Sequence, residues 1–561
     1  MTNAAMAGKE MPATSKSWWR DADSAVWPFA ALIVLIAAQL SFAFTRAINW
    51  DEFFFYHQVA DFAEGRLTSP LQTLNTRIFF WLPGLFDSNI DHIVTARVTM
   101  LAFEIVTLWS LYLIAQRFTD NITALFVPLL YLSAGYVLQH GNSFRVDPMA
   151  TAALTGALAV MARSRLDWRA IAGFGLLAAF GTMVTIKVIL YFPAFAGLAV
   201  FRLMKSDWSR SQFIRLVACV ACAVLFFALM FLWHSSSVTA ERSNIAASTG
   251  LFSSSISWMF FIGLPAYWTM AIKAMMLAPI FTLAVVAAPI LIWRSDRSRA
   301  EKIALTGFLL PVLTPFYYMN TAAYFYAFIL APVALGCIPA LVWARRRFAP
   351  MILTSALASI ALGVFLVDNR TIIDRQRQLE ANIREIFPQP VTYIDHNYMM
   401  GSWPKGNKFM TPWGMNMYRE NGVPEYTQAL EADVVPLVIG NWWTLRVMFL
   451  EGDDTLLVAE DNESMRNSYI EFAPFIWIAG KRLPAGMAAD NALFQVPGPY
   501  TVRDAPVIIN GKALQPGDVI QLDRTNYQLE VPGAQDARLI WGDNLQPPSN
   551  PLEPGPLYAG F

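Results

Sequence analysis

Charge is what this chain has little of. Only 15% of its 561 residues are Asp, Glu, Lys or Arg, against 56% hydrophobic, whereas soluble domains carry roughly 25% charged and about 45–50% apolar residues. That shortage excludes an ordinary soluble protein. The 41 basic and 41 acidic residues cancel to zero formal net charge, so there is no basic field to attract nucleic acid. No glycine-rich nucleotide loop, internal repeat or low-complexity tract stands out. Cysteine is nearly absent too. Cys219, Cys222 and Cys337 fall inside apolar runs, where free thiols pack as small, soft side chains. The residues beyond Cys337 contain none, which excludes a disulfide framework there. The histidines show no i,i+4 pair and no H-E-x-x-H spacing, so no cofactor is expected and a divalent metal has no recognisable ligand pattern.

Long apolar runs are what the chain has instead. Windows of about 18 or more apolar residues, enough to cross a hydrocarbon core of about 30 Å, recur about eleven times. They predict a polytopic α-helical membrane protein with transmembrane helices near 26–45, 93–115, 122–139, 147–162, 169–185, 186–203, 213–233, 274–293, 303–319, 323–343 and 350–367. Basic residues collect in cytoplasmic loops because they resist translocation. The loops with Arg117, Arg165, Lys205, Arg297 and Arg346 share one face under this count, which predicts that face to be cytoplasmic. The tail 1–25, with Lys9, Lys16 and Arg20, lies on the same side. Its first span lacks a small-x-small cleavage site and reads as an uncleaved signal anchor. An odd number of spans then sends the C-terminus outside.

The chain thus divides into a tail (1–25), a membrane part (26–367) and a soluble extracytoplasmic domain (368–561). In the last, VTYID, VVPLVIG, VIIN, VIQLD and YQLEV read as strands. They predict an α/β layer over about 370–450 and a small β-rich unit near 497–545. INGKAL carries an Asn-Gly hairpin signal, whose turn needs positive φ.

Two adjacent carboxylates, Asp51 and Glu52, follow a few residues after the first span. Asn49 and Glu52 have capping-box spacing, in which the acids only favour the positive end of a helix. A helix over 50–64 places His57, Gln58, Asp61 and Glu64 on one side and Glu52 among Phe55, Tyr56, Val59 and Ala63. An acid on the apolar side is costly unless a partner or a cavity receives it, which makes it a site candidate. Cap and site are compatible. QHGNSFRVDP brings His140, Asn142, Arg145 and Asp147 to the next outer end. Lys187 and Arg242 also lie outside, against the basic bias of the other face, with headgroup snorkelling as the plain alternative. Tyr324 and Tyr326 sit at another outer end, where an aromatic belt is the plain alternative.

The WDE motif just outside the first span, an amphipathic loop before the second, Arg145 and Asp147 in the next outer loop, many spans and a C-terminal outer domain form a pattern. It resembles the C-type (GT-C) glycosyltransferases, in particular the bacterial relatives of protein O-mannosyltransferases and aminoarabinose transferases. The resemblance covers the membrane part, about two thirds of the chain. It implies a GT-C fold in a bacterial inner (plasma) membrane. It also implies an inverting transferase that takes sugar from a polyprenyl-phosphate donor to an acceptor hydroxyl outside; lipid, glycan and protein acceptors stay open, and because the chain lacks the inserted luminal domain of the eukaryotic mannosyltransferases a protein acceptor is not implied. Under that resemblance Asp51 is the base, Glu52 orients sugar or acceptor, Asp147 is a second acid in the cavity, and Arg145 and Lys187 hold phosphate. His57, His140, Arg242 and Tyr324 complete the expected substrate-binding set. A transporter or lipid flippase, or a polysaccharide polymerase or ligase, is the alternative for charges at membrane depth. Against a transporter, no paired Gly/Pro-broken spans recur in two similar halves. The outer segment DHNYMMGSWPKGNKFMTPWGMNMYR also resembles a stretch of bacterial members, and its residue types announce no chemistry.

Overall fold

The computed structural model describes residues 18–238, 259–408 and 410–559. Helix lies under each apolar run, but not as eleven unbroken spans. Among the described residues five helical stretches are long and apolar enough to cross a membrane alone: Ala25–Thr45, Asn89–Ala115, Ile186–Lys205, Arg210–Ser235 and Pro350–Ile386. Two more arise if bent pairs count as spans, Trp268–Met276 with Pro279–Arg294 at 101° and Phe325–Gly336 with Ile338–Arg345 at 60°. The single span expected over 122–139 is divided into Asn121–Leu132 and Gly135–His140. Two of these breaks touch each other. The Gly135 N–H donates to the Leu277 carbonyl at 3.1 Å, and a methyl group on Gly135 would lie 2.8 Å from Leu277 Cβ. Non-helical backbone at membrane depth is tolerated only where protein buries it, so these corrections come from tertiary contacts to which a hydropathy window is blind.

Burial sorts the helices. Phe325–Gly336 is buried almost throughout, while Arg210–Ser235 buries only Gln212, Cys219 and His234 and turns Val220, Val224, Leu225 and Leu232 outward. An apolar surface of that length faces hydrocarbon. Arg210–Ser235 packs on Trp168–Val184 where Gly175 leaves room for Cys222, whose Sγ would lie 2.8 Å from an added methyl. The three cysteines are free thiols.

After Val367 come a helix, Ile372–Ile386, and two sheets. Among the described residues the larger sheet has seven strands, in the order Tyr393–Ile394, Leu437–Ile439, Ile476–Leu483, Ala537–Trp541, Gly498–Arg503, Val519–Leu522, with Tyr469–Ala473 also on Ile476–Leu483. The first pair is parallel and the others are antiparallel. The smaller sheet orders Asp490–Leu493, Asn526–Glu530, Val507–Ile509 and Lys512–Leu514. Each expected strand is present, and the β-rich unit begins earlier than expected, at Tyr469. INGKAL closes a hairpin with Asn510 and Gly511 at φ 47° and 80°.

The apolar helices and the region after Val367 share one core. Ile48, Phe53 and Tyr56 pack with Met399, Met400 and Trp403. Glu380 accepts from the Asn89 N–H at 2.7 Å and the Ser88 hydroxyl at 2.8 Å, so it caps Asn89–Ala115 from above. Gln376 accepts from the Ile48 N–H at 2.9 Å and donates to its carbonyl at 2.8 Å. These contacts fix the region after Val367 over the end of the first helix, next to the paired acids.

Candidate active site

The first helix passes through Arg46–Asn49 into the helix Trp50–Ala63. Asn49 accepts from the Asp51 N–H at 3.0 Å, and Glu52 accepts from the Asn49 N–H at 2.9 Å, which completes a capping box. The cap holds both acids at the positive end of the helix and sends their side chains different ways. Glu52 turns inward. It accepts from Arg97 Nε at 2.7 Å and Nη2 at 2.5 Å, and from the Phe144 N–H at 2.7 Å. Arg97 also donates to the carbonyls of Arg46 at 2.8 Å and Ala47 at 2.9 Å. Burial works against the Glu52 charge, but Arg97 and the two backbone N–H groups outweigh it and hold the carboxyl below the ordinary range. Glu52, expected to orient sugar or acceptor, is thus placed on Arg97 and away from the cavity wall. Glu52 is 1% exposed and does not line the cavity. The partner demanded by an acid on the apolar side is Arg97.

Asp51 instead lines a cavity of about 530 Å³, with Arg145, Lys187, Tyr324, Asn320 and Gln58 among the other lining residues. The Arg145 guanidinium pairs with Asp51 and, through Nε at 3.2 Å, with Asp147. Lys187 Nζ lies 2.6 Å from Asp147. The ring of Tyr324 carries Arg145 Cζ 3.4 Å from its centroid, a cation–π contact. Charge therefore alternates along Asp51, Arg145, Asp147 and Lys187, and the four cancel. Asp147 does not line the cavity; with 2% of its side chain exposed it stands behind both cations. The residue expected as a second acid in the cavity thus supplies the counter-charge that two buried cations need. Local structure delivers each group. Arg145 is the extended residue before Val146–Arg163, Asp147 is in that helix's first turn, and Lys187 is the second residue of the 3₁₀ turn Ile186–Tyr191, its N–H donating to Thr185 Oγ1 at 3.3 Å.

The remaining expected residues separate. His57 has Nδ1 2.9 Å from the Gly401 carbonyl and Nε2 3.1 Å from Asp61, and it stacks on Tyr398 at 4.0 Å. It joins the helix Trp50–Ala63 to the region after Val367 and does not line the cavity; both ring nitrogens face acceptor oxygens. His140 lines a second, smaller cavity with Arg46 and Trp50. Arg242 lies outside the described residues. Arg97 is missing from the sequence-based set, although a lone cation inside an apolar run is itself a signal of a buried partner. Among the described residues no group of three or more His, Cys, Asp or Glu is placed to hold a metal ion.

No family model matches the chain, and no curated protein matches its sequence. Solved structures match it by fold. ArnT from Cupriavidus metallidurans bound to undecaprenyl phosphate aligns with a TM-score of 0.53 and 14% identity, over 75% of this chain and 94% of that one. This chain has the GT-C fold. The oligosaccharyltransferase of Archaeoglobus fulgidus tethered with an acceptor peptide also matches, with a TM-score of 0.46 and 11% identity over 91% of this chain and 76% of that one. In the GT-C frame of this chain the helix Trp50–Ala63 with its paired acids sits between the first long helix and Asn89–Ala115.

Proposed function

We propose that the chain is an inverting glycosyltransferase that moves a sugar from a polyprenyl-phosphate donor to an acceptor hydroxyl on the extracytoplasmic face of a bacterial inner membrane. One observation carries this reading: a carboxylate, Asp51, and two cations, Arg145 and Lys187, share the wall of one cavity. Displacement at an anomeric carbon needs that pairing. Asp51 accepts the hydroxyl proton as the oxygen attacks the anomeric carbon, and the bond from that carbon to the phosphate oxygen breaks with its electron pair on the phosphate. Arg145 and Lys187 offset the charge that gathers there. A single displacement inverts the centre and needs no covalent nucleophile. Arg145 is paired with Asp51, so an arriving phosphate competes for the guanidinium and leaves Asp51 to the acceptor. Asp147 keeps both cations in place, and Glu52 is a positioning residue that fixes the helix start carrying Asp51.

Support for the donor class comes from the fold shared with ArnT, which was solved with undecaprenyl phosphate. Support for the orientation comes from the basic loops, which assign the tail 1–25 to the cytoplasm and the region 368–561 to the outside. The test is binding of undecaprenyl phosphate to the purified protein. Arg145→Ala and Lys187→Ala should each raise its dissociation constant at least about tenfold, as expected for a charge-assisted contact in a partly dry cavity. Undecaprenol, without the phosphate, should bind wild type and variants equally poorly. Unchanged affinity in both variants would remove the cations from the site and the donor with them.

A further inference from the structure

The segment DHNYMMGSWPKGNKFM and the second cavity take no part in the proposed displacement at the anomeric carbon, and the structure joins them. The second cavity, of about 350 Å³, shares Trp50 and Met270 with the cavity of Asp51. Its walls include three aromatic side chains from distant parts of the chain, Trp50, Trp442 and Tyr558. The centroids of Trp50 and Trp442 are 4.5 Å apart at 67°, and Tyr558 lies 6.5 Å from the first at 46° and 6.1 Å from the second at 63°. Trp442 meets each of the other two rings edge to face, and Trp50 and Tyr558 are tilted to one another. All three are half-buried, unlike the closed-in core rings Tyr393 and Trp403. Arg46, Asn49 and His140 add polar groups, and the Arg46 charge is matched by Asp368 at 3.3 Å.

A buried polar knot made by the segment holds two of these rings. Asp395 accepts from the N–H groups of Asn397, Tyr398 and Met399 at 3.1, 2.9 and 2.9 Å and from Asn441 Nδ2 at 2.9 Å, and it pairs with Lys405 at 3.0 Å. Asn441 Nδ2 also donates to Asn397 Oδ1 at 2.7 Å, and Asn397 Nδ2 donates to the Tyr558 hydroxyl. Trp442 follows Asn441 directly. Burial opposes the Asp395 charge, but Lys405 and the ring of N–H donors hold its carboxyl below the ordinary range. A buried ion pair adds little net stability. What it does here is place two half-exposed rings, which is how a binding site is preorganised.

From this juxtaposition we propose that the second cavity binds a neutral pyranose ring of the acceptor, so that the acceptor is a glycan. The inference rests on the reading of the Asp51 cavity as the site of glycosyl transfer and narrows its acceptor class. A pyranose ring has an apolar C–H face and a hydroxyl rim. Trp50, Trp442 and Tyr558 take the face, and Arg46, Asn49 and His140 take the rim, the mixture of apolar walls and a few placed polar groups that marks ligand sites. With Arg46 matched by Asp368, the cavity offers no unbalanced charge to select an ion. Trp50 and Met270 line both cavities, so a hydroxyl on that side of the ring is presented toward the cavity of the base.

The test is saturation-transfer NMR on the full chain in lipid nanodiscs. The probes are the methyl pyranosides of glucose, galactose, mannose and N-acetylglucosamine, with maltotriose in one arm and a glycosyl diacylglycerol in the discs of the other. At least one probe should receive saturation at the C–H protons of one ring face. Its dissociation constant should rise about tenfold in Trp442→Ala and stay within about twofold in Trp442→Phe. Trp443→Ala, which removes an exposed ring outside the cavity, should bind as wild type does. A signal confined to one arm supports the proposal and tells lipid-borne from free glycan. No signal in either arm, or wild-type binding by Trp442→Ala, overturns it, as does a Trp442-dependent signal from a short peptide alone. Undecaprenyl phosphate affinity, measured on the same samples, separates the two readings. Its absence beside Trp442-dependent pyranoside binding would remove the transfer reading and leave the carbohydrate site standing.

Discussion

Replacing Glu52 by Gln keeps the size of the side chain and removes its charge. The carboxylate accepts four hydrogen bonds, two from Arg97 and one each from the N–H groups of Asn49 and Phe144. An amide offers one acceptor oxygen, so its NH₂ must face two of those N–H donors, one from Arg97 and one from the backbone, and Arg97 is left as an uncompensated buried charge. Breaking a buried pair from one side costs about 3–5 kcal/mol, a large fraction of a total stability of about 5–15 kcal/mol. The double variant Glu52→Gln/Arg97→Met should recover part of that loss. Thermal unfolding in detergent would measure it. The same bonds anchor Phe144, the neighbour of Arg145, so undecaprenyl phosphate affinity should fall together with stability. The pH dependence has a definite sign. Because the folded-state pKa of Glu52 lies below the ordinary glutamate value of 4.5, its contribution is complete above that value. It is lost as the pH falls through the lower, folded-state one. The stability gap between wild type and Glu52→Gln should therefore stay constant near neutrality and close only in acid. Wild-type unfolding by Glu52→Gln with abolished turnover would refute this reasoning and make Glu52 a substrate contact.

Single cysteines placed at Asp523 and at Arg299 should react with a membrane-impermeant maleimide from opposite sides, Asp523 from outside; labelling of Asp523 from the cytoplasm alone would reverse the orientation and remove the donor from the face assigned to it. Gly401→Ala would put a methyl group 2.8 Å from Tyr56 Cδ1, at the seam between the region after Val367 and the helix Trp50–Ala63. A clash of that kind costs about 1–3 kcal/mol, so the variant should unfold at lower temperature, and an unchanged transition would show that the seam yields freely.

Features with local causes were legible in the sequence. The Asn510–Gly511 turn comes from two residues that tolerate positive φ, and its strands are where their β-branched runs lie. The capping box of Asn49 and Glu52 is local in the same way. Asp51, Arg145 and Lys187 were visible because each is a charge in a place where the pattern of the chain gives it no other reason to be. What stayed hidden depends on contacts between distant residues. The break between Asn121–Leu132 and Gly135–His140 is stabilised by Leu277, far along the chain. Glu52 reads as an acid in need of a partner or a cavity, and which of the two it has is settled only when Arg97, embedded in an apolar run, is brought to it. Asp147 reads as a second acid until Lys187 and Arg145 close over it. The segment around Asp395 carried no message because its partners, Asn441 and Tyr558, lie well outside it.

The central claim is that Asp51 takes a proton during transfer from a polyprenyl-phosphate sugar, and donor consumption tests it most directly. Purified protein in nanodiscs would be given synthetic undecaprenyl-phosphate hexoses, pentoses and amino sugars together with an envelope glycan extract, and release of undecaprenyl phosphate would be followed by mass spectrometry. Wild type should turn over at least one donor, while Asp51→Asn should be slower by about 10²- to 10⁴-fold, with unchanged thermal unfolding and undecaprenyl phosphate binding. Equal turnover by Asp51→Asn, or donor moved intact across the bilayer without cleavage, would contradict the account.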